Sequence, residues 1–266
     1  MIVAPGDAAT IDLLLRRLVQ APRRALFLDY DGTLAEFGPR PELATLSPAV
    51  RDILTRLATL PSVSLGIISS RRLQEVVELV DVEGLRYAGL TGLEMRAPDG
   101  SVRRHAALDA AIPALEALAA RLAREVARFS GAWIEDKDGA LAVHCRDVQT
   151  ERIADLGTRI RALVEEEDDR LRLEVNAFTF EVWPRVDANK GMALDAFLAE
   201  ISGNTLALYA GDDTNDMPAL QHVRAVGGLA VGVGPRAPDV AEHRLSSPTQ
   251  LHALLERLVR HLESAP

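Results

Sequence analysis

The sequence predicts an α/β protein in which a parallel-sheet core is interrupted by a second, smaller α+β domain. Three observations support this prediction. Short apolar runs alternate with helical patterns at both ends of the chain, the middle of the chain has a different order of elements, and acidic motifs directly follow two of the apolar runs. The 266 residues are 48% hydrophobic, which is enough to bury a sizeable core.

The outer parts of the chain predict buried strands with helices between them. Continuous short apolar runs are typical of strands covered on both faces. Their alternation with helices favours a Rossmann-like parallel sheet, in which ligands bind outside the carboxyl ends of the strands. The predicted strands are Ala25–Asp29, Val63–Ile68, Tyr87–Leu90, Asn204–Ala210 and Gly228–Val233, and the predicted helices are Ile11–Gln20, Arg71–Val80, Lys190–Ile201, Asn215–Val223 and Pro248–Leu262.

The middle of the chain predicts a separate unit, because its elements follow the order helix, strand, strand twice over. Asp138-Gly139 is a two-residue hairpin signal between the first two strands. We place the inserted domain at residues 103–184 and the core at residues 1–102 and 185–266. The predicted elements of the insertion are the helices Leu108–Phe129 and Thr150–Glu167 and the strands Trp133–Lys137, Ala140–Arg146, Arg172–Asn176 and Phe178–Trp183.

Composition and charge argue against several classes of protein. The formal net charge of −9 disfavours nucleic acid and anionic membranes as partners. The first residues lack the pattern of a signal peptide, and no apolar stretch reaches the roughly 18 residues that a membrane span needs. Cys145 is the only cysteine, which excludes an internal disulfide and a thiolate zinc site. We expect a cytoplasmic monomer.

The first candidate motif, Asp29-Tyr30-Asp31-Gly32-Thr33, begins where the first predicted strand ends. Two carboxylates on a tight turn can face one crevice, so that one attacks phosphorus while the other transfers protons. The alternative is a polar turn without a chemical role. An EF-hand calcium loop is excluded, because that pattern needs glycine and glutamate where this chain has Leu34 and Arg40.

A second acidic motif, Gly211-Asp212-Asp213-Thr214-Asn215-Asp216, follows the predicted strand that ends at Ala210. Carboxylates gathered at the ends of neighbouring strands repel one another unless a cation joins them. Mg²⁺ bound by carboxylates and by a substrate phosphate meets that need. Taken alone, the segment is also typical of a solvated turn that caps a helix.

Two predicted helix starts complete the candidate set. Ser69-Ser70-Arg71 opens a helix after the second predicted strand, where a hydroxyl beside helix N-terminal amides can hold phosphate. Lys190 starts a later helix, and its ammonium group can neutralise phosphate and a nucleophile. For the serine pair the alternative is simple helix capping, and for Lys190 the alternative is a side chain that faces solvent. Of the 30 Lys and Arg residues only Lys137 and Lys190 are lysine, which favours specific roles for both.

The predicted hairpin of the insertion has one polar and one apolar face. With Asp138-Gly139 as its loop, the register pairs Lys137 with Ala140, Glu135 with Ala142, and Trp133 with His144. An aromatic ring beside mixed donors and acceptors suits sugar hydroxyls, and an ordinary solvated face is the alternative. The polar face contains Trp133, Glu135, Lys137, Ala140, Ala142, His144 and Arg146, and the apolar face contains Ile134, Leu141, Val143 and Cys145.

These motifs, in this order, resemble the haloacid dehalogenase (HAD) superfamily of phosphatases. That superfamily has an Asp-x-Asp-Gly-Thr motif, a serine or threonine after the second strand, a lysine, and a late acidic Gly-Asp-Asp type motif. The resemblance implies a HAD core with an inserted cap domain, and Mg²⁺-dependent hydrolysis through an aspartyl-phosphate. The implied roles are Asp29 as nucleophile, Asp31 as acid and then base, Ser69 and Lys190 as phosphoryl ligands, and Asp29, the Asp31 carbonyl and Asp212 as metal ligands supported by Asp216.

Within that superfamily, the chain is similar to trehalose-6-phosphate phosphatases from about Ala25 to Gly234. The similar segments are Glu135-x-Lys137, Val143-His144-x-Arg146, Glu181-Val182-x-Pro184 and Lys190-Gly191. Thr91 stands where the family has His or Asn, and Met217 stands where it often has Glu. The resemblance implies a sugar phosphate, trehalose 6-phosphate above all, as the substrate, bound by Arg71, Glu135, Lys137, His144, Arg146 and Glu181.

Other functions fit parts of the same pattern. Sucrose phosphate and glucosyl- or mannosylglycerate phosphate are alternative substrates, and a phosphomutase of the same superfamily is an alternative reaction. A sugar-phosphate sensor without catalysis is a third class. The intact acidic set argues against a sensor, because clustered carboxylates are costly to hold together without a metal.

Overall fold

The computed structural model describes residues 5–36, 38, 43–167, 170–176 and 178–264. The chain forms two compact units, one made of Met1–Arg103 and Ala188–Pro266 and the other of Arg104–Asp187. The second unit is therefore an insertion in the first. It extends past residue 184 because the amide of Arg185 still donates to the carbonyl of Arg170 at 2.8 Å.

Eight α-helices and twelve strands occur within the described residues. In chain order they are α1 (Pro5–Gln20), β1 (Arg23–Leu28), α2 (Pro48–Thr59), β2 (Val63–Ile68), α3 (Leu73–Val80), β3 (Arg86–Gly89), β4 (Glu94–Arg96), β5 (Val102–Arg104), α4 (Ala106–Val126), β6 (Trp133–Asp136), β7 (Leu141–His144), α5 (Thr150–Glu165), β8 (Leu171–Val175), β9 (Thr179–Pro184), α6 (Lys190–Ala199), β10 (Thr205–Gly211), α7 (Met217–Ala225), β11 (Leu229–Val233), β12 (His243–Leu245) and α8 (Pro248–Ser264). None of these helices combines the length and the apolar character that a membrane span requires.

The first unit contains a largely parallel sheet in the order β12-β11-β10-β1-β2-β3-β4-β5. The predicted α/β fold is confirmed. The prediction missed the short strands β4, β5 and β12, and β4 runs antiparallel to β3, so the sheet is mixed rather than purely parallel. These strands are only three residues long, too short for a periodic pattern to be recognised.

Helices cover both faces of this sheet. Alternate side chains of β1 point to opposite faces, so Leu26 and Leu28 pack in one core and Ala25 and Phe27 in another. The first core also contains residues of α1, α2, α3 and α8, and the second contains residues of α6 and α7. Strand β1 is thus buried from both sides, which explains its continuous apolar run.

Helix α2 was not predicted, although its sequence carries a helical signal. Ser47 caps the helix by accepting a hydrogen bond from the amide of Val50, and Pro48 occupies the first turn, where proline is tolerated. The apolar residues also recur with helical spacing. The buried residues of α2 are Val50, Ile53, Leu54 and Leu57.

The second unit contains an antiparallel sheet in the order β6-β7-β9-β8. The predicted hairpin register is confirmed: Trp133 pairs with His144 and Glu135 with Ala142. The amide of Lys137 donates to the carbonyl of Ala140 at 2.9 Å. The predicted apolar face is confirmed too, because Leu141, Val143, Cys145 and Ile134 all pack in one core with side chains of α4 and α5.

Candidate active site

The order of the strands brings the sequence motifs of the first unit to one edge of its sheet. Strand β1 lies between β10 and β2, and Leu28 is paired with both Ala210 and Ile67. The residues that follow these strands therefore emerge side by side. Asp29, Ser69 and Asp212 are all buried there.

The ammonium group of Lys190 is the centre of this cluster. It donates to Oδ1 of Asp29 at 2.6 Å and to Oδ1 of Asp216 at 2.7 Å, and the side chain is 1% exposed. Asn189 caps α6 by accepting from the amides of Gly191 and Met192, which places Lys190 at the first position of the helix. The solvent-facing alternative for this lysine is wrong.

Asp216 accepts hydrogen bonds on both carboxylate oxygens. Oδ1 accepts from Lys190 and from the hydroxyl of Tyr209 at 2.6 Å, and Oδ2 accepts from the amides of Asp212 and Asp213 at 2.9 and 3.1 Å. A carboxylate has about four acceptor positions, so that of Asp216 is saturated. Gly211 permits this arrangement, because a Cβ atom at that position would lie 2.3 Å from Cγ of Asp216.

Burial and the neighbouring charges shift the pKa values of the ionisable groups in this cluster. Burial, followed by the charge of Asp216, raises the pKa of Asp29 well above its ordinary value, although Lys190 opposes the shift. The same two causes raise the pKa of Asp212 to about 6. Burial lowers the pKa of Lys190, but Asp216 and Asp29 more than offset this and raise it overall.

This donor set fits a hard divalent cation. Asp29, Asp212 and Asp216 each offer a carboxylate oxygen within 4.8 Å of the others. Oxygen ligands alone favour magnesium over zinc. Because Asp216 already accepts four hydrogen bonds, Asp29 and Asp212 have the greater capacity to bind a metal ion directly.

Sequence reasoning missed Arg236 and Tyr209, which both contact the acidic cluster. Arg236, in the loop after β11, donates to Oδ2 of Asp212 at 2.7 Å and lies 3.5 Å from the carboxylate of Asp213. The sequence does carry a signal for Arg236, because this residue follows a predicted strand and so lies at the edge of the sheet where ligands bind. For Tyr209 the signal is a hydroxyl in a buried strand, which needs a hydrogen-bond partner.

Asp31 is held by Arg71. Nε and Nη2 of Arg71 donate to the two carboxylate oxygens of Asp31 at 2.7 and 2.8 Å, a bidentate arrangement. Nη1 of Arg71 contacts Glu75 in the first turn of α3, and the guanidinium lies 5.4 Å from the ring centroid of Tyr30. The resemblance implied that Arg71 binds substrate, whereas these contacts are to the candidate acid–base residue.

A loop in left-handed conformation supports Ser69 and Arg71. The amides of Leu90 and Thr91 donate to the carbonyls of Arg71 and Ser69 at 2.7 and 3.0 Å. Both loop residues have positive φ, 48° for Leu90 and 57° for Thr91. Asn and His adopt this conformation more readily than Thr, which gives a physical reason for the His or Asn expected at position 91.

The second unit carries one ion pair and one histidine–carboxylate hydrogen bond on the polar face of its sheet. Nζ of Lys137 lies 3.0 Å from Oε1 of Glu181, and Nε2 of His144 lies 2.7 Å from Oε2 of Glu135. Register places all four residues on the predicted polar face. The ring of Trp133 stacks on that of His144 with centroids 3.8 Å apart.

Arg146, which was also placed on this face, contacts the ring of an aromatic residue. Strand β7 ends at His144, before Arg146 is reached. The guanidinium of Arg146 lies 4.5 Å from the ring centroid of Phe178, which directly precedes β9. Alternation along a strand applies only while the strand continues, so the sequence pattern did not determine this contact.

Solved structures show the class of fold. The C-terminal domain of trehalose-6-phosphate phosphatase from Candida albicans matches with a TM-score of 0.80 and 22% identity, over 94% of this chain and 96% of that one. A haloacid dehalogenase-like hydrolase from Bacteroides thetaiotaomicron matches with a TM-score of 0.63 and 14% identity, over 89% of this chain and 99% of that one. The chain therefore has the HAD fold with an inserted second unit.

Sequence comparison shows the family. Residues 27–250 match the family described as trehalose-phosphatase. A trehalose-phosphate phosphatase of Mycobacterium tuberculosis is 32% identical over 92% of this chain and 64% of its own length. An uncharacterized glycosyl hydrolase of the same species is 36% identical over 97% of this chain and 20% of its own length. The chain spans less than two thirds of either relative, and it belongs to the trehalose-phosphatase family.

The strained loop leads to a stability prediction. Thr91→Asn is expected to raise the free energy of unfolding by about 1 kcal/mol, because asparagine reduces the cost of left-handed backbone at a β-branched residue. Urea unfolding of both proteins measures the change. Thr205→Asn in β10 is the matched control and should destabilise, since asparagine is disfavoured in strands. A loss of stability at position 91 would contradict this prediction.

Proposed function

We propose that this protein hydrolyses a sugar phosphate, most specifically trehalose 6-phosphate, in a magnesium-dependent reaction through an aspartyl-phosphate intermediate. One observation carries the proposal: a buried carboxylate, Asp29, lies 2.6 Å from a buried ammonium group and beside two further carboxylates at the carboxyl edge of the sheet. Membership of the trehalose-phosphatase family supports the choice of reaction.

Asp29 is the nucleophile of the proposed reaction. One of its oxygens accepts from Lys190, and within the described part of the chain the other accepts a long, 3.3 Å hydrogen bond from the hydroxyl of Thr33. That second oxygen attacks phosphorus, a bond forms between Asp29 and the phosphoryl group, and the bond from phosphorus to the sugar oxygen breaks. Lys190 and Ser69 bind the phosphoryl oxygens and neutralise their charge.

Asp31 transfers the protons. It gives a proton to the leaving sugar oxygen and then takes one from the water that attacks the aspartyl-phosphate, so inorganic phosphate leaves and Asp29 is regenerated. Both roles need a correctly oriented carboxyl group. The bidentate contact with Arg71 provides that orientation, so we assign Arg71 to Asp31 rather than to the sugar.

The metal site consists of Asp29, Asp212 and the main-chain carbonyl of Asp31, with Asp216 in support. Mg²⁺ bound there supplies charge neutralisation for the phosphoryl group. Asp216 keeps its position through its four hydrogen bonds and holds both Lys190 and the backbone of the acidic turn.

The second unit binds the sugar through its polar face. Lys137 with Glu181 and His144 with Glu135 present donors and acceptors, and Trp133 adds an aromatic ring. Such groups match the hydroxyls and the apolar faces of a sugar. A phosphate-release screen that includes trehalose 6-phosphate, sucrose 6-phosphate and glucosyl- and mannosylglycerate phosphates identifies the substrate.

The nucleophile is tested by Asp29→Asn. This nearly isosteric change is expected to lower phosphate release by at least roughly a thousandfold, because the amide cannot form the intermediate. Asp239→Asn is the matched control, since Asp239 is exposed and pairs only with Arg244 among the described ion pairs. Substantial turnover by a folded Asp29→Asn protein would rule out the covalent mechanism.

The metal is tested by chelation. EDTA is expected to stop phosphate release and added Mg²⁺ to restore it, because the carboxylate oxygens favour a hard cation. Zn²⁺ should restore less activity than Mg²⁺. Calorimetric titration of Mg²⁺ into the chelated protein provides a readout that is independent of turnover. Full activity in excess EDTA would contradict the assignment.

The roles of the two lysines are tested by comparing substrates. Lys137→Ala is expected to lower the rate with the natural sugar phosphate roughly 10- to 200-fold, the loss of a charged hydrogen bond of about 1.5–3 kcal/mol. An aryl phosphate without a sugar should be little affected. Lys190→Ala should impair both substrates alike. Equal losses of rate with both substrates in Lys137→Ala would instead assign Lys137 to phosphate binding. No loss with either substrate would show that the polar face of the second unit does not bind the sugar through Lys137.

A further inference from the structure

Tyr209 is a fully buried residue of β10 whose hydroxyl reaches into the acidic cluster. The side chain has 0% exposure, and the hydroxyl donates to Oδ1 of Asp216 at 2.6 Å. The same oxygen accepts from Lys190 at 2.7 Å. Tyr209 is therefore one contact away from the ammonium group that faces Asp29.

The hydroxyl determines how Lys190 shares its hydrogen bonds. Oδ2 of Asp216 is fixed by two main-chain amides, so Oδ1 is the oxygen that side chains orient. Without the hydroxyl, Oδ1 keeps only one donor, and its added negative charge attracts the ammonium group more strongly. Lys190 would then move toward Asp216 and away from the nucleophile and the phosphoryl group.

We propose that Tyr209 is a positioning residue, which holds Asp216 and through it sets the position of Lys190 relative to Asp29. The inference deepens the proposed phosphatase function and rests on it for its kinetic consequence. Tyr209 does not touch the reacting atoms. Its effect should therefore appear in kcat, which depends on the placement of Lys190 at the transition state, rather than in KM.

Tyr87 offers a matched control within the same sheet. It is 1% exposed in β3, and its hydroxyl donates to the main-chain carbonyl of Val82 at 2.7 Å. Tyr87→Phe and Tyr209→Phe each remove one buried hydroxyl and one short hydrogen bond. A role limited to stability predicts the same result for both variants.

The kinetic test compares these two variants with the parent enzyme. Tyr209→Phe is expected to lower kcat about tenfold, the effect of losing a hydrogen bond to a charged group, with KM nearly unchanged. Tyr87→Phe should keep the parent kcat. In an Asp216→Asn background, Tyr209→Phe should have little further effect on kcat, because the two residues act through one contact. An unchanged kcat in Tyr209→Phe, an equal loss in Tyr87→Phe, or a full additional loss in the Asp216→Asn background would overturn the proposal.

The two-lysine composition allows a test that does not depend on turnover. In protein grown with lysine that is ¹⁵N-labelled at Nζ, the labelled side-chain ammonium groups are those of Lys137 and Lys190. The Lys137→Arg variant assigns the two signals. Tyr209→Phe should shift the Lys190 ammonium signal and accelerate its hydrogen exchange, while Tyr87→Phe leaves it in place. An unmoved Lys190 signal in Tyr209→Phe would overturn the proposal. A moved signal in a protein that releases no phosphate from any sugar phosphate would support the positioning contact and reject the proposed function.

Discussion

The buried ammonium group of Lys190 is the interaction on which the rest of the first unit depends. It joins the end of β1, the start of α6 and the turn after β10 by contacting Asp29 and Asp216. Burying a charge costs several kcal/mol unless it is paired and hydrogen-bonded. The sheet order must therefore bring β10 beside β1, and the chain must return from its insertion with α6 at this edge.

Positive charge in this cluster is supplied by side chains that each have a fixed partner. Lys190 pairs with Asp29 and Asp216, while Arg236 pairs with Asp212 from the loop after β11. Burial, followed by the charge of Asp216, raises the pKa of both Asp29 and Asp212 despite these cations. In the proposed reaction a divalent cation would balance the remaining negative charge of these carboxylates, which connects the acidic cluster to phosphate chemistry.

In the second unit the other lysine of the chain, Lys137, forms an ion pair on the polar face of the sheet. This sheet needs one apolar face to pack on α4 and α5, which leaves the opposite face to polar residues. Lys137 is 6% exposed on that face and pairs with Glu181 from a neighbouring part of the sheet. In a chain that uses arginine almost everywhere, both lysines are buried in ion pairs with carboxylates.

The sequence by itself determined the elements whose signals are local. Apolar runs predicted the long strands, and Asp138-Gly139 predicted the register of Trp133 with His144, because side-chain direction repeats every two residues in a strand. The candidate motifs also follow from sequence, since they stand directly after those strands. Only the tertiary structure decided which side chains pair: Tyr209 with Asp216, Arg71 with Asp31, and Arg236 with Asp212. Those partners are far apart in the chain or belong to different turns, and their contacts arise from strand order and helix placement, which no local pattern encodes.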